Sequence, residues 1–232
     1  MTAKKDQMKK IAAEKAVSYL KSNSIIGLGT GSTVYFALEL ISKLIADNKL
    51  VNIKGIPSSK ATEELAVKFN IPLTSLDENP FIDINIDGAD EVDSDLYLIK
   101  GGGGALLKEK IIAQASKTNI IMVDESKLSN FLGERFYLPV EVFPFAIGSE
   151  TEFIKKLGMN PKIRIKNNSA FITDQGNYII DIHCGKIQNV KELSDILHSR
   201  AGIAEHGLFI DLTNILVIGK ESGAEIKFNK NI

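Results

Sequence analysis

In the stretch INIDGADEVDSDLYLIKGGGGALLKEK, Asp87, Asp90 and Glu109 offer carboxylates, Lys100 an ammonium, and Gly101 to Gly104 four glycines in a row. A folded chain tolerates such a run only where the backbone adopts conformations or close approaches that a Cβ would forbid. Asp87 and Asp90 bracket Gly88 and Ala89. As a turn, DGAD is unremarkable, because aspartates there commonly bond their own backbone. Placed at the end of a strand, one of them could handle a proton while the other orients a hydroxyl. Lys100 could stabilise a developing oxyanion, with the N–H groups of Gly101, Gly102 and Gly103 as a preorganised nest beside it. If the next helix starts near Ala105, then Ala105, Glu109, Ile112, Ala113 and Ser116 share one face. Glu109 is the single charge on that face, and Lys108 and Lys110 point about 100° to either side. A carboxylate turned inward has its pKa raised by desolvation, which suits a proton carrier near neutral pH. An ordinary surface glutamate in a KEK run fits the same spacing, so periodicity does not decide. Together these groups imply proton transfer next to a carbonyl on a small phosphorylated molecule, without metal or organic cofactor.

The elements that must position them read as alternating strands and helices. A lysine-rich first segment carries Met8, Ile11, Ala12, Ala16, Tyr19 and Leu20 at helical spacing, an amphipathic helix with a solvated face. A short strand (Ser24 to Leu28) then leads through a small-residue turn (Gly29 to Thr33) into a helix from about Val34 to Ile45. The dipole and free N–H groups of such a helix start, with the hydroxyls of Thr30, Ser32 and Thr33, would receive a phosphate. A glycine turn that merely lets strand and helix pack closely fits equally well. The loop lacks the lysine of an ATPase loop. Its Gly27, Gly29 and Gly31 are spaced G-x-G-x-G, and the next strand (Val51 to Ile56) runs into Pro57, Ser58 and Ser59 instead of an acid, which weakens a dinucleotide-dependent oxidoreductase.

A helix follows from Ser58 to Asn70, capped by Ser59 or Ser58. The strand FIDINID alternates Ile82, Ile84 and Ile86 with Asp83, Asn85 and Asp87, more polar on one face than a doubly covered strand usually is. A strand from Asp95 to Ile99 ends in Lys100, a helix runs from Ala105 to Ser116, and a strand from Asn119 to Val123 has Lys127 just beyond it. The pattern predicts an α/β fold: a three-layer, mainly parallel, Rossmann-like sheet, with ligands outside the carboxyl ends of the strands. From Phe136 it changes. LPVEVFPF reads as a connecting strand, Ser149 and Glu152 as a capping box, and KIRIK, AFITD and NYIIDI as short strands closed by a helix from Val190 to Ser199. LFIDL and ILVIG then read as returning to the main sheet. The expected organisation is a catalytic α/β domain over 1–135 plus 207–232, with a smaller inserted α+β lobe over 136–206.

GLGTGST, IDGADEVD, LIKGGGGALLKEKI and VDESKL occur in that order and at those intervals, and the chain resembles the type A ribose-5-phosphate isomerases over nearly its whole length, including LPVEV and the late GLF. The resemblance implies interconversion of D-ribose 5-phosphate and D-ribulose 5-phosphate in the non-oxidative pentose phosphate pathway. Glu109 would move a proton between C1 and C2 through an enediolate. Asp87 and Asp90 would assist ring opening and hydroxyl proton transfer. Lys100 with Gly101 to Gly103 would line the sugar end, Thr30, Gly31, Ser32 and Thr33 together with Asp87, Gly88, Ala89 and Asp90 would bind substrate, and Lys127 matches a substrate-binding lysine. A homodimer or homotetramer is also implied. A non-catalytic sugar-phosphate sensor on the same fold is the alternative from another class.

Composition narrows the field further. In 232 residues, 28 basic against 29 acidic side chains give a formal charge of −1 and no electrostatic reason to expect nucleic acid. No apolar run approaches the ~18 residues of a membrane span. The single Cys184 excludes an intrachain disulfide, and with neither a signal nor a transit segment at its head the chain reads as cytoplasmic. His183, His198, His206 and Cys184 lack paired ligand spacing and read as structural or surface residues. Asp181 and His183 alternate on one strand face without a serine or cysteine nucleophile beside them.

Overall fold

A computed structural model describes residues 2–229. The chain groups into two compact units, Met1–Ala89 with Lys108–Lys127 and Asp211–Ile232, and Asp90–Leu107 with Leu128–Ile210. The expected lobe over 136–206 lies inside the second unit, which also takes in 90–107, 128–135 and 207–210.

The first unit is built on a six-stranded sheet ordered Gly223–Phe228, Ile215–Lys220, Ser116–Asp124, Ile82–Gly88, Ile25–Leu28, Lys54–Pro57. All neighbours are parallel except the edge hairpin of Ile215–Lys220 with Gly223–Phe228. From Ile25–Leu28 the chain moves to one side for Lys54–Pro57 and then returns to the other for Ile82–Gly88. The crevice between Ile25–Leu28 and Ile82–Gly88 is therefore a topological switch point, where open α/β sheets bind ligands. The helices are Thr2–Val17, Ser32–Ala46, Lys60–Lys68 and Leu106–Gln114. Ala12, Ala16, Val34, Leu38, Ile41, Ile86 and Met122 share one apolar cluster. Asn85, one residue before Ile86, faces the other way: its Nδ2 donates to Asn119 Oδ1 at 3.0 Å, and Asn119 Nδ2 donates to Ala113 O of Leu106–Gln114 at 2.9 Å. Helices thus cover both faces, as alternating strand residues require.

The polar face of Ile82–Gly88 is accounted for residue by residue. Asp83 accepts from Lys117 Nζ at 2.8 Å and from the Ile25 amide at 3.0 Å, and the Lys117 bond holds its carboxyl below the ordinary range. Asn85 pairs with Asn119, and Asp87 belongs to the site described below. Ser59 caps Lys60–Lys68 as expected, accepting from Thr62 N at 3.1 Å.

The second unit contains a four-stranded antiparallel sheet ordered Ile203–His206, Leu138–Val142, Tyr178–His183, Asn160–Ile163, with helices Ile147–Lys156 and Val190–His198. Four expectations change here. LPVEV is an inner strand of this sheet and not a connector, because both of its edges are paired. Ile147–Lys156 starts ahead of Ser149, with Ala146 at its N-cap and no side-chain cap bond. Leu208–Phe209 does not join the main sheet: it pairs with Leu98–Ile99, which also pairs with Glu91–Val92, in a separate three-stranded antiparallel sheet. The strand expected over 95–99 shrinks to these two residues because Asp93 Oδ1 accepts the amides of Asp95 and Tyr97 and Leu96 sits at φ 63, which bends the chain before it. No helix among the described residues is long and apolar enough to cross a membrane.

Candidate active site

Sheet register decides the geometry of the first unit's site. Leu28 lies opposite both Pro57 and Ile86, so Gly29 follows beside Asp87 on one side and Ser58 on the other. Gly29 N donates to Ile86 O at 3.0 Å, and Ser58 N to Leu28 O at 2.9 Å. Asp87 Oδ1 accepts from Thr30 N at 3.1 Å and from Gly88 N at 2.7 Å. A Cβ on Gly29 would overlap the Asp87 carboxylate, so this position is closed to any other residue. Gly31, at φ 123, is the N-cap of Ser32–Ala46, which begins two residues before the expected Val34. Ser32 and Thr33 therefore occupy its first turn, where N–H groups have no partner within the helix. Ser32 is exposed and Thr33 half-buried.

The Thr30 hydroxyl is committed elsewhere. It lies 2.7 Å from Ser58 Oγ, 2.8 Å from Ser59 Oγ and 3.1 Å from Thr62 Oγ1, and Thr62 Oγ1 donates to Gly29 O at 2.8 Å. This hydroxyl cluster braces the loop from the neighbouring strand end. Sequence reasoning noticed Ser58 and Ser59 only as a helix cap and as the place where an acid was missing. Two serines directly after a strand, with Thr62 three residues beyond them in the next helix, were the available signal.

Glu109 lies on the first turn of Leu106–Gln114 and is 4 % exposed. That settles the choice which helix spacing left open: the side chain is turned inward. Lys110 is also buried, which the helix-face argument missed, while Lys108 is half-buried. Lys127 ends a short 3-10 helix, Glu125–Lys127, immediately after Ser116–Asp124. The buried Asp124 carboxylate starts that turn by accepting from Ser126 N at 3.0 Å and from the Ser126 hydroxyl.

In the second unit, Asp90 Oδ2 accepts the Gly102 amide at 2.7 Å. Gly101, at φ 106, opens a turn closed by Gly104 N to Gly101 O at 3.0 Å. A Cβ on Gly101 would meet Leu106 at 2.7 Å, one on Gly102 the Asp90 carboxylate at 2.8 Å, and Gly104 lies against Phe171. Gly101 and Gly104 are thus required by both backbone angle and space, and Gly102 by space. Lys100 is 3 % exposed, its amide donates to Gly207 O at 2.9 Å, and its Nζ lies 5.4 Å from the Phe209 ring centre. Asp87 and Asp90, three residues apart, therefore hold two different pieces of backbone, the Gly29–Thr33 loop and the glycine turn.

The histidines do not all stay apart. His198, Glu205 and His206 bring one ligand atom each within 4.8 Å of one another, a grouping that sequence spacing did not reveal. His206 Nδ1 accepts the Leu208 amide at 3.3 Å, which in the neutral ring puts the proton on Nε2, facing Ser194 Oγ at 3.2 Å and the Glu205 carboxylate. A protonated nitrogen is a hydrogen-bond donor, not a metal ligand. Cys184 is half-buried, and burial pushes its thiol up, away from the reactive thiolate.

Comparison with known proteins follows the same outline. The family model described as ribose 5-phosphate isomerase A (phosphoriboisomerase A) matches residues 54–223. The chain belongs to the ribose 5-phosphate isomerase A family. Among these isomerases, ribose-5-phosphate isomerase A of Desulfatibacillum aliphaticivorans is 51 % identical, over 94 % of this chain and 95 % of that protein. The solved ribose 5-phosphate isomerase of Plasmodium falciparum superposes with a TM-score of 0.94 at 43 % identity, covering 97 % of this chain and 99 % of the other. A D-ribose-5-phosphate isomerase solved in complex with phospho-erythronic acid superposes at 0.93 with 37 % identity, over 95 % and 97 % of the two chains. The α/β fold with its mainly parallel sheet and smaller antiparallel lobe is the fold of these isomerase A structures.

Proposed function

We propose that this chain is an aldose-ketose isomerase interconverting D-ribose 5-phosphate and D-ribulose 5-phosphate, with Glu109 as the base. In the aldose-to-ketose direction Glu109 takes the C2 proton of the open-chain sugar and returns it to C1 of the enediolate, while the O2 proton passes to O1. Asp87 and Asp90 assist ring opening and the hydroxyl proton transfer. Lys100 and the glycine turn stabilise charge at the sugar end, and Thr30 to Thr33 with Lys127 bind the substrate. The observation that carries the choice of base is the burial of Glu109 on the first turn of Leu106–Gln114. Burial excludes water, as a carboxylate that must return the same proton requires. The relatives named above are isomerases, and no observation favours a non-catalytic sensor.

Purified protein should convert ribose 5-phosphate to ribulose 5-phosphate in a coupled assay without added nucleotide or metal. No turnover by folded protein overturns the reading.

Placement in the cytoplasm and assembly as a homodimer or homotetramer belong to the same proposal. Assembly is supported by the edge strand Asn160–Ile163 and by the exposed Ile163, Ile165 and Ile172 near it in sequence, since unpaired strand edges favour pairing between chains. Light scattering at assay concentration distinguishes monomer, dimer and tetramer.

A further inference from the structure

The glycine turn is held from its carbonyl side by a guanidinium that no motif singled out. Arg164 stands between Asn160–Ile163 and Ile165–Lys166, its amide donating to Ile179 O and its carbonyl accepting from Phe171 N, both at 2.8 Å. Its side chain is 11 % exposed and packs near Tyr137 and Phe171, 5.6 and 5.7 Å from the ring centres. Nε donates to Asp181 Oδ2 at 2.9 Å and Nη2 to Oδ1 at 2.5 Å. Nη1 donates to Gly101 O at 2.9 Å and to Gly102 O at 3.1 Å. One edge of the fork is fixed on a carboxylate while the other end carries two glycine carbonyls. A lysine ammonium, a single point charge, does not reproduce that arrangement.

Peptide geometry turns this contact into a statement about the opposite edge of the turn. In a trans peptide the carbonyl and the following N–H point in opposite directions. With Gly101 O and Gly102 O drawn to Arg164, the N–H groups of Gly102 and Gly103 face away from it. The Gly102 N–H reaches Asp90 Oδ2, and Gly103 is exposed. A cation at the carbonyl end also polarises each peptide and strengthens its N–H as a donor. A buried ion pair is weak evidence for stability, because apolar residues of similar volume often serve as well. A bidentate pair aimed at two consecutive carbonyls is instead suited to fixing orientation.

We propose that Arg164, oriented by Asp181, is a positioning residue for the isomerisation: it sets the glycine turn so that Gly102 N–H holds the Asp90 carboxylate and Gly103 N–H meets the developing oxyanion of the substrate. The inference rests on the isomerase reading above, and its test separates the two. Arg164→Lys should lower kcat by about 30-fold or more while KM stays within about threefold, as expected when a transition-state interaction is lost. Arg164→Ala should regain part of its kcat with added ethylguanidinium and none with ethylammonium. In an Asp90→Asn background, Arg164→Lys should cost less than in the wild type, because the two act through one hydrogen bond. With 15N-glycine labelling, the Gly102 and Gly103 amides should exchange faster in Arg164→Lys, while amides of the four-stranded sheet keep their protection. An unchanged kcat overturns the proposal, as does a loss that follows melting temperature across the variants without rescue. If Arg164→Lys does not fold, Asp181→Asn, which keeps the guanidinium but loosens it, carries the same kinetic and exchange measurements. If the wild type does not turn over ribose 5-phosphate, the isomerase reading falls, and glycine exchange still decides whether Arg164 sets the turn.

Discussion

Asp87 Oδ1 accepts the amide of Thr30 at 3.1 Å from the neighbouring parallel strand's loop. The same oxygen accepts the Gly88 amide, and the residue is 1 % exposed. A carboxylate whose sequence position suggested acid/base chemistry ties the strand end to the Gly29–Thr33 loop. Asp87→Ala removes the acceptor from both half-buried amides, and a hydrogen bond to a charged group contributes about 1.5–3 kcal/mol. Asp87→Asn keeps a carbonyl oxygen in place and should lose less stability while losing as much activity. Urea unfolding of the two variants beside their kcat checks both halves; equal stability losses would mean that the tie does not hold the loop.

Glu109→Gln should fold like the wild type and lose about 100-fold or more in kcat with little change in KM, the pattern for a group that acts only in the proton-transfer step. With substrate deuterated at C2, the rate at which deuterium appears at C1 of the product gives a second check, since it should fall with kcat. A variant as fast as the wild type removes Glu109 from the role of base.

Lys127 should behave differently because its proposed work is binding. Lys127→Ala should raise KM by about tenfold with kcat within about threefold, the signature of lost uniform binding. The wild type should show a KM that rises with ionic strength, and the variant a flatter dependence. A pure kcat effect would move Lys127 into the chemistry and out of phosphate binding.

What the sequence displayed about this site follows from how local each signal is. The Gly29 loop and Asp87 at a strand end are read within single elements, whereas for Glu109 helix spacing left surface and interior both open and only the fold shows the side chain to be buried. Arg164 was invisible because its contacts with Gly101 span 63 residues and nothing in KIRIK announces a bidentate arginine. Leu98–Ile99 and Leu208–Phe209 were misplaced because two-residue strands carry no periodicity, so only the pairing partner says which sheet they join. Lys110 shows the limit of a helical wheel. Its position a third of a turn from Glu109 says which way it leaves the helix, but not what covers it.

Glu141 carries a pH prediction independent of catalysis. It sits in the middle of the second unit's sheet at 0 % exposure, where Oε1 accepts from Thr173 Oγ1 at 2.8 Å and from Asn177 Nδ2 at 2.9 Å. Oε2 has no hydrogen-bond partner among the described residues. Burial pushes the carboxyl above its ordinary 4.5, the two hydrogen bonds oppose the shift, and Glu205 and Asp174 add to it. With the folded pKa above the unfolded one, the native state binds the extra proton between the two values, so stability falls as pH rises through that window. The contribution is fully present below about 4.5 and is lost once pH passes the folded pKa. Glu141→Gln removes the titration but keeps one acceptor for Thr173 and Asn177. Urea unfolding of both proteins from pH 4.5 to 8 should show the variant gaining on the wild type as pH rises; a difference that stays flat across the range would mean that the buried carboxyl is ionised in the folded protein at little cost.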